Sequence, residues 1–254
     1  MPRPDCKSCG GTGWVVANRD GISAADRCEC VAETRVEEIE NRSQIPANYR
    51  SASFDNFAIP RDNPVSERSL KTAMLQVKGY ADNFPLTQGK MGLLLVGPPG
   101  AGKTHLAAAA LHILISRGFE GLFFDYQNLL ERIRAGYSEA LGTSSREAYR
   151  SVLETEILLL DDLGAHRVTD WVEDTVTSII TYRCNHRKPL IATTNLPDPD
   201  MGGATVERST TPSYRTTLTE RIGERARSRL FEMCRIVNMW GVGDYRVRSP
   251  RNPA

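Results

Sequence analysis

Apolar positions along this chain fall into two kinds of run. Residues 93–96, 121–125, 157–160 and 189–192 are short, nearly unbroken apolar stretches, the pattern of strands buried on both faces. Longer stretches have helical spacing: 105–117, rich in Ala and Leu and closed by Gly118, then 127–137, 145–153, 171–186 and 219–229. Within 65–84, Leu70, Ala73, Met74, Val77, Tyr80, Ala81 and Phe84 recur three and four apart, which predicts an amphipathic helix whose apolar side is core rather than a partner site. Strands alternating with helices predict an α/β fold, a parallel sheet flanked by helices. Residues 198–216 carry Pro, Gly, Thr and Ser and read as a mobile loop, and the tail from Ser249 is expected to fray.

Each predicted strand end carries polar residues of a particular kind. The run 93–96 enters Gly97-Pro98-Pro99-Gly100-Ala101-Gly102-Lys103-Thr104, a complete GxxxxGK[ST] phosphate-binding loop, followed by His105 at the head of a helix. Glycines let consecutive backbone N–H groups face phosphate oxygens, Lys103 adds a point charge, and the Thr104 hydroxyl is a hard ligand for Mg²⁺. The run 157–160 ends in Asp161-Asp162, placed for a metal-holding carboxylate and a second that orients or deprotonates water, although paired Asp also starts turns. After 189–192 come Thr193-Thr194-Asn195, where the Asn195 amide could touch a γ-phosphate; Thr and Asn are equally common turn and capping residues.

The first thirty residues differ from the rest. Cys6, Cys9, Cys28 and Cys30 are four of the six cysteines, and in a reducing compartment two such pairs point to thiolate ligation of Zn²⁺ rather than to disulfides, with an unligated or redox-active set as the alternative. Glycines after Cys9 allow a tight turn whose N–H groups face sulfur, Trp14 is expected to cover the site, and a loop is expected between the two pairs. Cys184 and Cys234 read as small buried apolar side chains. Residues 31–43 read as a charged connector helix, broken at Ile45-Pro46, after which Phe54 and Phe57 are expected to pack the linker near the nucleotide.

The whole chain has 254 residues, enough for one α/β domain and a small appendage, with 32 basic and 31 acidic side chains. That balance argues against wholesale coating of nucleic acid. The absence of an N-terminal apolar segment and of a membrane-length run leads to the expectation of a cytoplasmic protein without membrane contact. On 219–229, Arg221, Arg225 and Arg229 fall four apart, and such a row repels itself unless an anion answers it or Glu220, Glu224 and Glu232 offset it.

These residues carry a resemblance. GPPGAGKTH, LLLDDLG, ATTN, ERIGERARSRLFEMC and DYR, in that order over residues 45–248, resemble the DnaC/DnaI/IstB branch of the AAA+ ATPases, and the cysteine module resembles that of replicative helicase loaders. The resemblance implies a P-loop AAA+ core at 45–254 without a full helical lid, and a zinc module with connector helix at 1–44. It implies ATP and Mg²⁺ at Gly97–Thr104, with Asp161 on the metal, Asp162 catalytic and Asn195 as first sensor. Arg229 of the SRL triplet becomes an arginine finger with Arg225 as companion, and Arg246 of DYR matches the second sensor. Most members carry Glu at the position of Asp162, so the shorter side chain implies slow hydrolysis. The implied function is an ATPase that assembles with copies of itself and loads a hexameric replicative DNA helicase onto single-stranded DNA. The alternatives are an IstB-like helper that delivers a transposase and a stand-alone P-loop kinase, the latter lacking a visible phosphoacceptor site.

Overall fold

The computed structural model describes residues 2–19, 22–86, 89–135, 142–201 and 216–248. Most of the expected loop 198–216, the end of the helix expected at 127–137 and the tail from Ser249 lie outside them. The main body is a five-stranded sheet in the order β4-β5-β6-β3-β7, parallel throughout. Its strands are β3 (Gly92–Val96), β4 (Gly121–Asp125), β5 (Ile157–Asp161), β6 (Leu190–Thr194) and β7 (Cys234–Asn238). Side chains alternate between two cores. Leu93, Leu95, Leu159 and Ile191 face one layer with α2 (Pro64–Asn83) and α3 (Lys103–Ser116). Leu94, Val96, Leu158 and Ala192 face the other with α4 (Tyr126–Ala135), α6 (Asp170–Asn185) and α8 (Glu224–Met233). Burial on both faces explains why these strands read as unbroken apolar runs. The helix α5 (Gly142–Glu154) completes the expected alternation.

One buried cation fastens the sheet's amino end. Arg183 of α6 is wholly shielded and donates to the carbonyls of Val152 at 2.7 Å, Thr155 at 3.1 Å, Glu156 at 3.1 Å and Pro189 at 2.6 Å. It thereby satisfies the backbone where α5 ends and β5 and β6 begin.

Two expectations are corrected and a third is refined. The segment between the cysteine pairs is a hairpin, β1 (Trp14–Arg19) against β2 (Ile22–Arg27), not a loop. The connector helix expected over 31–43 is α1 (Glu29–Arg42), and it is packed rather than solvated all round: Val36 and Ile39 lie on the main core, and the Phe123 amide on the edge strand β4 donates to Ser43 O at 2.7 Å. The arginine-bearing helix is two helices, α7 (Leu218–Ile222) and α8, because Gly223 sits at φ 81° and ψ 155°, outside helical geometry. A side chain at φ 81° and ψ 155° would be strained whatever the space around it, and a Cβ would also crowd the Glu173 carboxylate, so glycine is favoured at the break. Arg221 is therefore separated from the face that Arg225 and Arg229 share, and its Nη1 donates to His166 O at 3.3 Å.

Candidate nucleotide site and cysteine cluster

The carboxyl ends of β3, β5 and β6 converge on a cavity of about 420 Å³, the position at which open parallel sheets take ligands. Pro99, Gly100, Ala101, Gly102, Lys103, Thr104, His105, Asp161, Asp162, Asn195 and Arg246 all line it. Lys103 Nζ folds onto its own loop, donating to the carbonyls of Gly97 and Pro98, each at 2.9 Å. Burial pushes the Lys103 ammonium down in pKa, opposed by the nearby Asp162 and Asp161. The loop itself is closely backed. Gly100 is at φ 72°, where a Cβ would stand 1.8 Å from Asp244 Oδ1, and Gly102 is at φ 90°, where one would stand 2.6 Å from Phe57.

Two carboxylates leave β5 with different surroundings. Asp161 accepts the Thr104 hydroxyl on Oδ2 at 3.2 Å and the Thr193 hydroxyl on Oδ1 at 2.6 Å. Burial nonetheless dominates and raises its pKa. Asp162 is exposed at φ 59°, with its amide donating to Thr193 Oγ1 at 2.9 Å. One buried hydroxyl thus holds both aspartates. Thr193 was not singled out by sequence reasoning, because its partnership requires β5 and β6 to be neighbours.

The linker closes one side of the cavity as expected. Phe54 is buried, and the Phe57 ring lies 5.5 Å from the His105 ring, whose Nε2 is 2.8 Å from Ser53 O. Tyr49, Pro60, Leu70 and Val242 supply an apolar side that the sequence did not announce. From the other end of the chain the Tyr245 amide donates to Gly100 O at 3.1 Å, which brings Arg246 into the cavity. Arg225 and Arg229 do not line it. Both are exposed, and Arg229 Nη1 reaches Glu232 Oε2 at 2.7 Å.

The donor set suits a nucleoside triphosphate with a hard cation: a loop whose Gly100 and Gly102 leave no room for a Cβ, an ammonium beneath it, and a hydroxyl beside a carboxylate. The cysteines form a separate group. All four sulfurs lie within 4.8 Å of one another, with Cys6 to Cys28 at 3.7 Å and Cys9 to Cys30 at 3.6 Å. Four sulfurs around zinc at about 2.3 Å would stand about 3.8 Å apart, so this cluster could hold a tetrahedral metal ion. The Gly13 amide donates to Cys9 Sγ at 3.3 Å, and the backbone amides of Cys9 and Ser8 pull the Cys6 thiol down to about 6. Trp14 does not cover this site. It is 52% exposed, with the Arg27 guanidinium 5.6 Å from its ring centre, and Val15 and Val31 pack on the sulfurs instead.

Sheet, loop and carboxylates together define a P-loop ATP-binding fold of the AAA+ type. The family model described as IstB-like ATP binding protein matches residues 67–203. A crystal structure of the DnaC helicase loader is similar at 33% identity, covering 76% of this chain and 99% of that one, with a TM-score of 0.59. A DnaI crystal structure shares the fold at 20% identity, 77% and 94% coverage and a TM-score of 0.57. The phage-like element PBSX protein XkdC of Bacillus subtilis (strain 168) is 24% identical over 91% of this chain and 80% of its own length. The chain belongs to the IstB/DnaC family of ATP-binding proteins. Among the described residues no helix is long and apolar enough to cross a membrane.

Proposed function

We propose that this chain is an ATPase that assembles side by side with copies of itself in the cytoplasm and places a ring-shaped replicative helicase onto single-stranded DNA. The observation that carries this reading is the division of its polar groups. Lys103, Thr104, Asp161, Asp162, Asn195 and Arg246 share one cavity, while Arg229 stands exposed outside it. In the proposed roles the loop Gly97–Thr104 holds the phosphates, and Thr104 with Asp161 holds Mg²⁺. Bound Mg²⁺ would neutralise charge on the phosphate oxygens. Asp162 orients the attacking water, Asn195 and Arg246 sense the γ-phosphate, and Arg229, with Arg225 beside it, reaches a neighbour's site. Residues 1–44, with Zn²⁺ on the four cysteines, dock the helicase, and residues 45–254 hold ATP and touch DNA phosphates.

The cavity would serve a transposition helper equally well, and the family description names that branch. The cysteine module favours the loader. The deciding experiment incubates the purified full chain, with ATP, with the replicative helicase from the same source. Co-elution and ATP-dependent transfer of the helicase to circular single-stranded DNA are expected. Capture of a transposase with no helicase binding would replace this reading with the helper.

A further inference from the structure

We infer that the Arg227–Asp198 pair is the link that aims Arg229 at a neighbouring subunit, making Arg227 a positioning residue for hydrolysis in the adjacent site. The inference rests on the trans role proposed for Arg229. It begins at Asn195. Three residues beyond that cavity-lining amide stands Asp198, whose side chain is wholly shielded. The path between is short and pinned, since the Leu196 amide donates to Thr194 Oγ1 at 3.2 Å and Pro197 O accepts the Leu218 amide at 2.9 Å.

A shielded carboxylate is costly unless every lone pair is answered. Asp198 receives Arg227 Nε at 2.6 Å and Nη2 at 2.5 Å, the Thr219 hydroxyl at 3.2 Å and the Asp200 amide at 3.1 Å. Arg227 continues to Asp200 Oδ2 at 2.6 Å and lies 4.4 Å from the centre of the Phe231 ring. One carboxylate therefore joins the exit of β6 to both α7 and α8.

What such a pair supplies is direction. Replacing a buried ion pair by apolar side chains is often neutral for stability, whereas a two-pronged guanidinium fixes orientation. The helix α8 has need of this, because it is joined to α7 through the non-helical Gly223 and its direction is not inherited by helical continuity. Arg227 and Arg229 are two residues apart, about 200° around a helix, so the clamp grips the inner side of α8 while Arg225 and Arg229 project from the outer side. A shift of the Asn195 strand end on loss of the γ-phosphate reaches α8 through Asp198 and turns Arg229, which couples one ATP site to the next.

The test uses mixed assemblies. An Arg229→Ala subunit keeps its pocket and lacks a finger, and a Lys103→Ala subunit keeps its finger and lacks a working pocket. Their mixture should hydrolyse ATP at the one competent junction. Adding Arg227→Lys to the finger donor should lower that activity about tenfold in kcat with KM unchanged. The same change in the pocket donor should leave it within about twofold. Asp198→Asn in the finger donor should reproduce the loss. Equal loss from either position would mean that the clamp is only structural and overturns the inference, as would no loss from both variants. Silence of the unmodified mixture would instead overturn the trans role of Arg229, and this inference with it.

Discussion

The Thr193 hydroxyl donates to Asp161 Oδ1 across 2.6 Å while accepting the Asp162 amide at 2.9 Å, so one side chain of β6 fixes both carboxylates at the end of β5. A hydrogen bond to a charged group is worth about 1.5–3 kcal/mol, and about 1.4 kcal/mol is a factor of ten. Thr193→Val is therefore expected to raise the magnesium needed for half-maximal ATP hydrolysis roughly tenfold or more. Nucleotide binding in excess chelator should stay as it was. An unchanged magnesium dependence would reduce Thr193 to a strand tether.

Two substitutions separate holding the nucleotide from acting on it. Lys103→Ala removes a phosphate charge from a loop whose backbone is otherwise kept, so ATP binding or hydrolysis should be abolished without unfolding. Asp162→Asn leaves Asp161 and its two hydroxyl partners in place, so binding should persist while hydrolysis falls, on the order of a hundredfold for loss of a general base. Fluorescent-nucleotide titration beside phosphate release measures both. Wild-type turnover in Lys103→Ala would remove the central assignment.

The cysteine cluster predicts one zinc per chain. Cys9→Ser should release it and loosen the hairpin, while the sheet and its cavity, which have their own cores, keep their cooperative unfolding. Metal analysis of protein prepared without chelator is the check, and a metal-free wild-type chain would contradict the assignment.

How much of this was legible in the sequence depended on the reach of each interaction. The four strands 93–96, 121–125, 157–160 and 189–192 were readable because burial on both faces leaves a run with no polar interruption. The loop Gly97–Thr104 was readable because its chemistry is contiguous. The hairpin was missed: its strands are six residues each, with Asn18, Ser23 and Arg27 exposed on one face, so no apolar run announces them. The break at Gly223 was missed because helical periodicity continues in sequence across a residue whose backbone leaves the helix, although a glycine after Ile222 was the available stop signal. Thr193 with Asp161 and Asp198 with Arg227 are pairs of distant residues, 32 and 29 apart; the neighbouring of β5 and β6 brings the first together, and the packing of α7 and α8 over the exit of β6 brings the second.

Asp198 also gives a pH signature. Burial would raise its pKa, but the Arg227 hydrogen bonds and charge, with the Asp200 amide and the Thr219 hydroxyl, outweigh burial and hold it below the usual carboxylate value. The unfolded chain then binds the proton more readily than the folded one. The pair's contribution is thus full above an ordinary Asp pKa of about 3.9 and is lost as pH falls through the depressed value. The urea midpoint of the wild type should exceed that of Asp198→Asn by a constant margin from about pH 7 to 5, and the margin should shrink below about pH 4. A margin that persists in acid would mean that the ionised carboxylate is not its source.

The docking role proposed for the amino-terminal module makes the outer face of its hairpin the place to test. Trp14 and Val16 are 52% and 80% exposed, two apart on β1, and they stand opposite Arg27 and Ala25 of β2. The inner face is occupied, with Val15 packed on the cysteine cluster. Among the described residues, none of the hairpin lines the nucleotide cavity, so changing the outer face should leave ATP chemistry alone. Exposed Trp and Arg side by side are the residue types that dominate binding energy at protein interfaces, where truncating such a residue costs about 2 kcal/mol or more. The pair Trp14→Ala and Val16→Asp is accordingly expected to weaken capture of the replicative helicase at least tenfold. Zinc content and ATP hydrolysis by the chain alone should match the wild type. If capture survives this change and is lost instead when the ATPase domain is altered, the helicase contact lies on residues 45–254 and the division of labour proposed for the chain is reversed.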